Sequence, residues 1–138
     1  MKRIDITKTF RPTPETREFI RWLTETKKIF PRMIDAYLFA AALGIKKDFD
    51  IVPIVSKERQ HIVVNLVGLI DDDVRLALEA GIYAIRKRKG QPQLSDSEEL
   101  MEIISQYAEV GIIHLKEKWK DKATISQIQD DIAKIINS

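Results

Sequence analysis

The sequence has no cysteine, five glycines, five prolines and only two histidines in 138 residues. Without thiols there is no disulfide framework and no thiolate metal site, which fits a reducing cytoplasm. His61 and His114 do not have the short spacing of a local metal-binding pair. His114 and Glu117 make a His-x-x-Glu pair, but no second ligand pair completes it. No cofactor and no bound metal are expected. There is no glycine-rich phosphate loop, and no apolar run reaches the roughly 18 residues of a membrane span. Met1-Lys2-Arg3 is not followed by an apolar stretch, so no secretory leader is expected. These absences point away from an enzyme and from a membrane protein, and towards a cytoplasmic binding or interaction protein.

Excess charge of one sign is also small, at a formal +2, but it is unevenly placed. Residues 1–47 hold 11 Lys/Arg against 5 Asp/Glu, residues 48–94 hold 7 of each, and residues 95–138 hold 5 against 9. A basic front and an acidic back suit a polyanion on one side and a protein partner on the other; they are also common in small domains. A hydrophobic fraction of 44% and a charged fraction of 32% describe a soluble globular chain. Its length suits a single domain over residues 1–138.

The most apolar stretch is Pro31–Lys47, PRMIDAYLFAAALGIKK. Pro31 suits a first helical turn. Met33, Ile34, Tyr37, Leu38 and Ala41 recur at helical spacing, and only Arg32 and Asp35 interrupt the apolar surface, so a buried core helix is expected. Gly44 is expected to end it in a left-handed conformation, with Lys46 and Lys47 at its negative end. Upstream, Lys2–Arg11 alternates: Ile4, Ile6 and Phe10 on one face, Arg3, Asp5, Thr7, Thr9 and Arg11 on the other. That is a half-buried strand pattern. Thr13-Pro14 then starts a helix running to about Lys28.

Further on, His61–Ile70, HIVVNLVGLI, reads as a buried helix or a buried strand, and a helix over Lys57–Ile70 suits the helical surroundings better. Asp71-Asp72-Asp73 suits a helix start rather than a Mg²⁺ site, which needs oxygens from several segments. The helix after it should turn Val74, Ala77, Leu78, Gly81, Ile82 and Ile85 inward, with Gly81 a place to kink. Arg86-Lys87-Arg88-Lys89 is the densest basic run, readable as phosphate contacts or as solvated charges at a helix end. Ser95 with Glu98, and Thr124 with Gln127, form two capping boxes. The first opens a long amphipathic helix to about Lys118, followed by a charged hinge over Lys116–Lys122. The second opens a helix with an isoleucine stripe from Ile125 to Ile136, which docks on the chain's own core or on another subunit.

Two resemblances follow. IDAYLFAAALGIKK resembles a motif of the Dnd-system-associated proteins, through Asp35, Ala40, Ala41, Leu43 and Gly44, with Ile34 in place of a polar residue. ISQYAEVGIIHL resembles a second element of that family through Tyr107, Ala108, Gly111, Ile112 and Leu115, while Glu109 and Val110 depart from its Asn-Gly pair. The resemblance implies a genomic setting beside DNA phosphorothioation and restriction genes, more than a mechanism. The order strand, helix, turn, helix in the N-terminal third also resembles a ribbon-helix-helix unit. That would offer Arg3, Asp5 and Thr7 to bases in a major groove, and Lys2, Arg11 and Arg32 to phosphates. The long Lys8–Thr13 connection departs from that pattern.

The expected fold is mostly α, a single helical domain of about six helices with a short N-terminal strand or arm, in three parts: 1–47, 48–94 and 95–138. The expected function is a non-catalytic component of a DNA modification and restriction defence system. Its nucleic-acid-binding residues would be Lys2, Arg3, Asp5, Thr7, Arg11, Arg32, Arg86, Lys87, Arg88 and Lys89. Its partners would be DNA and a larger protein of the same locus, with homo-oligomerisation left open. The alternatives are a protein–protein adaptor without DNA affinity and a ribbon-helix-helix transcriptional regulator.

Overall fold

Thr13 and Pro14 open the first helix, α1 (Pro14–Arg21), where the Thr13 hydroxyl accepts the Thr16 N–H at 3.3 Å. The computed structural model describes residues 2–5, 7–55, 71–119 and 124–137. Instead of continuing as an α-helix to Lys28, the chain widens into a π-helical turn over Trp22–Thr26. The Thr24 hydroxyl donates to the Ile20 carbonyl at 2.7 Å, a side-chain bond that competes with the regular ladder.

The core helix is α2 (Met33–Lys46). Pro31 stands before it rather than in its first turn, and Arg32 is its N-cap. The Asp35 carboxylate accepts the Arg32 N–H at 3.1 Å and pairs with its guanidinium at 2.8 Å. Gly44 does not end the helix. It lies buried against α4 (Ser97–Lys118), where a Cβ would come 2.8 Å from the Tyr107 carbonyl oxygen. The left-handed residue is Asp48, at φ 51°.

Helices α2 and α4 cross at the centre, and the contact is closest where Gly111 meets the Ala40 backbone. Buried residues form one continuous cluster from Ile4 to Ile128. The third helix, α3 (Asp72–Arg88), runs unkinked through Gly81, which packs on Ile45. Leu78, Ile82 and Ile85 are buried as expected, but Val74 and Ala77 are exposed. Helix α4 starts one residue later than the Ser95–Glu98 pairing implies. Asp96 is its N-cap, accepting the Glu99 N–H at 2.8 Å, and it is Glu99, not Glu98, that holds Ser95. It includes residues 116–118, where a hinge was expected; residues 120–123 lie outside the described residues. The last helix, α5 (Ile125–Asn137), carries the expected capping box: the Thr124 N–H donates to Gln127 at 2.7 Å and the Gln127 N–H to Thr124 at 3.1 Å.

Five α-helices are therefore seen among the described residues, against about six expected. The sixth was placed on Lys57–Ile70, all of which, His61 included, lies outside the described residues. No strand forms among the described residues. Ile4 and Phe10 are buried, as the alternation requires, but the segment is an arm and not a ribbon. The Asp5 carboxylate takes the Thr7 N–H at 2.9 Å and its hydroxyl at 2.6 Å, and the Lys8 N–H donates to the Asp5 carbonyl at 3.1 Å. That turn breaks the extended run. Among the described residues no helix is long and apolar enough to cross a membrane.

Candidate nucleic-acid interface

The basic run ends α3, and its side chains are spread over three duties. Arg86 Nε and Nη2 donate to the Pro92 carbonyl at 3.1 and 2.7 Å, folding the following turn back through Gly90 at φ 66°. Arg88 and Lys89 reach across to Asp48, at 3.0 and 2.9 Å, just beyond the end of α2. Lys87 is exposed. The Lys89 ammonium, then Arg88, hold the Asp48 carboxyl below the usual carboxylate range, and Asp48 in turn raises Lys89. Helices α2 and α3 run parallel, since Ile45 packs on Gly81 and Asp48 lies beside Arg88 and Lys89. Two negative helix ends thus lie side by side, and Lys46, Lys47 and residues 86–89 offset them.

The N-terminal arm runs antiparallel along α3. Its anchor is Glu79, a carboxylate with 0% exposure. Glu79 accepts the Ile4 N–H at 2.7 Å and the Arg3 guanidinium at 2.9 Å, with Arg75 at 3.9 Å. Arg75 also donates to the Ile4 carbonyl at 2.7 Å, and the Lys2 N–H donates to the Tyr83 hydroxyl. The Arg3 side chain stays 46% exposed, and the hydrogen bond it donates to Glu79 raises its already high pKa. Positions 75, 79 and 83 share one stripe of α3, along which the arm is held from Ile4 to Lys2; Lys87 lies one turn further on the same stripe.

The fold therefore brings Lys47 and the run Arg86, Lys87, Arg88 and Lys89 to one end of the α2–α3 pair, while Lys2 is held at Tyr83 and Arg3 at Glu79, further back along α3. It does not bring Arg11 or Arg32 to that place. Arg11 borders a cavity of about 370 Å³ with Lys8, Glu98 and Glu102. Arg32 is paired with Asp35 at the opposite end of α2, on the rim of an apolar groove of about 470 Å³ between α2 and α3. Asp5 and Thr7 are turned onto each other, and Thr7 lowers the Asp5 pKa by donating its hydroxyl and N–H to the carboxylate. Sequence reasoning missed Glu79, whose signal was a carboxylate on the inward stripe four residues after Arg75. It also missed Asp48, which nothing in the local pattern marked as the acceptor for a run forty residues away.

Among the described residues no three His, Asp or Glu side chains gather as a metal site requires. Asp72 and Asp73 occupy the first turn of α3, and the exposed His114 ring lies on Phe49 with centroids 4.9 Å apart. The described residues form a small α-helical protein with a basic surface where the ends of α2 and α3 meet. The family model of DNA sulphur modification system-associated protein 4 matches residues 10–138, and the chain belongs to that family. No curated protein and no solved structure matches it. The motif residues Ala40, Gly44, Tyr107 and Gly111 meet in the α2–α4 crossing, so the family's signature in this chain is a packing contact.

Proposed function

We propose that the protein is a non-catalytic component of a DNA sulphur modification system that contacts the DNA backbone through Lys2, Arg3, Lys47 and residues 86–89. The single observation that supports this is that Lys47 and residues 86–89 lie around Asp48 at one end of the α2–α3 pair, with the arm laying Lys2 and Arg3 along α3 behind them. Contacts of this kind bind phosphates with little base selectivity and weaken steeply with salt. The interface has no ribbon for the major groove, because Arg3 and the Ile4 backbone are committed to Glu79. A larger protein of the same locus is the second expected partner. Exposed Ile113 on α4, and Ile125 and Ile136 on α5, support an apolar contact there.

The test is fluorescence anisotropy of a labelled duplex at about 50 and about 200 mM salt, with and without phosphorothioate linkages. Binding that weakens steeply between the two salts is expected. Absence of binding at both salts would leave the adaptor reading, which a pull-down from cells carrying the locus then addresses.

A further inference from the structure

Beside the basic surface lies a small cavity of about 210 Å³, between the end of α3 and the middle of α4. Arg86, Lys89, Gln91, Asp50 and Tyr107 line it, against an apolar wall that includes Phe49. Its volume is roughly that of seven water molecules. Tyr107 is only 4% exposed, yet its hydroxyl has no hydrogen-bond partner among the described residues. A tyrosine hydroxyl without a protein partner at such a cavity is free to donate to a ligand or solvent oxygen.

We propose that this cavity seats one phosphate group, with Arg86, Lys89 and the Tyr107 hydroxyl as its donors. Arg86 spends two of its N–H groups on the Pro92 carbonyl and Lys89 spends one on Asp48, which leaves donors on both. Burial raises the Tyr107 pKa, so the phenol stays protonated and donates. Asp50 is the opposing charge. It lowers affinity for a phosphate and gives the site a variant that should bind more tightly. The proposal deepens the DNA-contact reading and rests on it for the source of the phosphate, either a nucleic-acid backbone or a free phosphate.

The experiment compares wild type, Tyr107→Phe and Asp50→Asn, after circular dichroism has matched their helix content. Inorganic phosphate is titrated by calorimetry and a DNA duplex by anisotropy. Phosphate affinity should fall about tenfold in Tyr107→Phe, from one lost charge-assisted bond. It should rise about threefold to tenfold in Asp50→Asn, from one lost like charge. The same ranking with DNA assigns the site to the backbone. Phosphate ranked in this way while DNA binds all three equally assigns it to a free phosphate. DNA binding without any phosphate affinity, and with equal affinity across the variants, overturns the cavity and leaves the DNA contact standing. Phosphate binding without DNA binding overturns the DNA contact and leaves the cavity. Absence of both overturns both. If Tyr107→Phe loses helix content, Asp50→Asn alone decides: unchanged or weaker phosphate affinity overturns the site.

Discussion

Gly111 of α4 lies directly on the backbone of Ala40 in α2: a Cβ at Gly111 would stand 2.1 Å from the Ala40 carbonyl oxygen. No side chain can yield there, because the obstacle is a helix backbone. Gly111→Ala should therefore push the two helices apart and cost about 3 kcal/mol. Gly90→Ala meets open space at φ 66° and should cost only about 1 kcal/mol, through backbone strain. Thermal unfolding of the two variants checks the difference.

Glu79 holds the arm. Glu79→Ala leaves the Ile4 N–H and the Arg3 guanidinium without their buried acceptor, and should cost about 3 kcal/mol. Hydrogen exchange at the Ile4 amide should rise by more than exchange in α4. Equal rises would mean the carboxylate supports the whole core and not the arm.

The α5 helix is tied down by the Trp119 indole, whose Nε1–H donates to Asp131 at 2.9 Å, with Lys46 reaching the Ile135 carbonyl at 2.8 Å. Asp131→Ala should cost about 1 kcal/mol and raise exchange along α5 before the rest of the molecule responds. Trp119 is almost completely buried, so its emission should shift to the red as the helix loosens.

Acid should weaken two local ties. The Lys89 and Arg88 contacts lower the Asp48 pKa, and the Ser95 hydroxyl and N–H lower that of Glu99. A carboxyl depressed in the folded state adds stability above its unfolded pKa and loses it as pH falls through the folded one. Melting temperature should therefore hold down to about pH 4 and drop below it. The double variant Asp48→Asn, Glu99→Gln should flatten that drop, measured by melts at falling pH.

Lys87 lies on the stripe that the arm approaches. Lys87→Ala should reduce the slope of log affinity against log salt by about 1. Arg11→Ala, among Glu98 and Glu102, should have the smaller effect in the same anisotropy titration.

Much of the helical plan was legible, because caps and periodicity are local. Thr13, the Thr124–Gln127 box and the apolar run of α2 each act within a few residues. The end of α2 was misread because Gly44 suits both a helix stop and a helix crossing. Only its distant neighbour Tyr107 decides between them. The strand was misread for a related reason: alternation correctly put Ile4 and Phe10 inside, but the Asp5–Thr7 turn broke the extension. In the candidate site the basic run was visible. Its partners were not, since Asp48 lies forty positions before Arg88 in the chain and Glu79 seventy-six after Arg3.

Parallel α2 and α3 expose two negative poles at the end where the cations gather. An approaching polyanion feels the full positive charge from a distance, but meets unfavourable carbonyl dipoles if it comes close to the helix ends. Long, flexible side chains must therefore hold it away from the backbone. On the proposed DNA contact, encounter should be quick and departure equally quick, and the surface would serve as a landing area where a strand is sampled many times. Firm retention must come from elsewhere, either from an enclosed donor such as the Tyr107 hydroxyl or from a second protein gripping the same duplex.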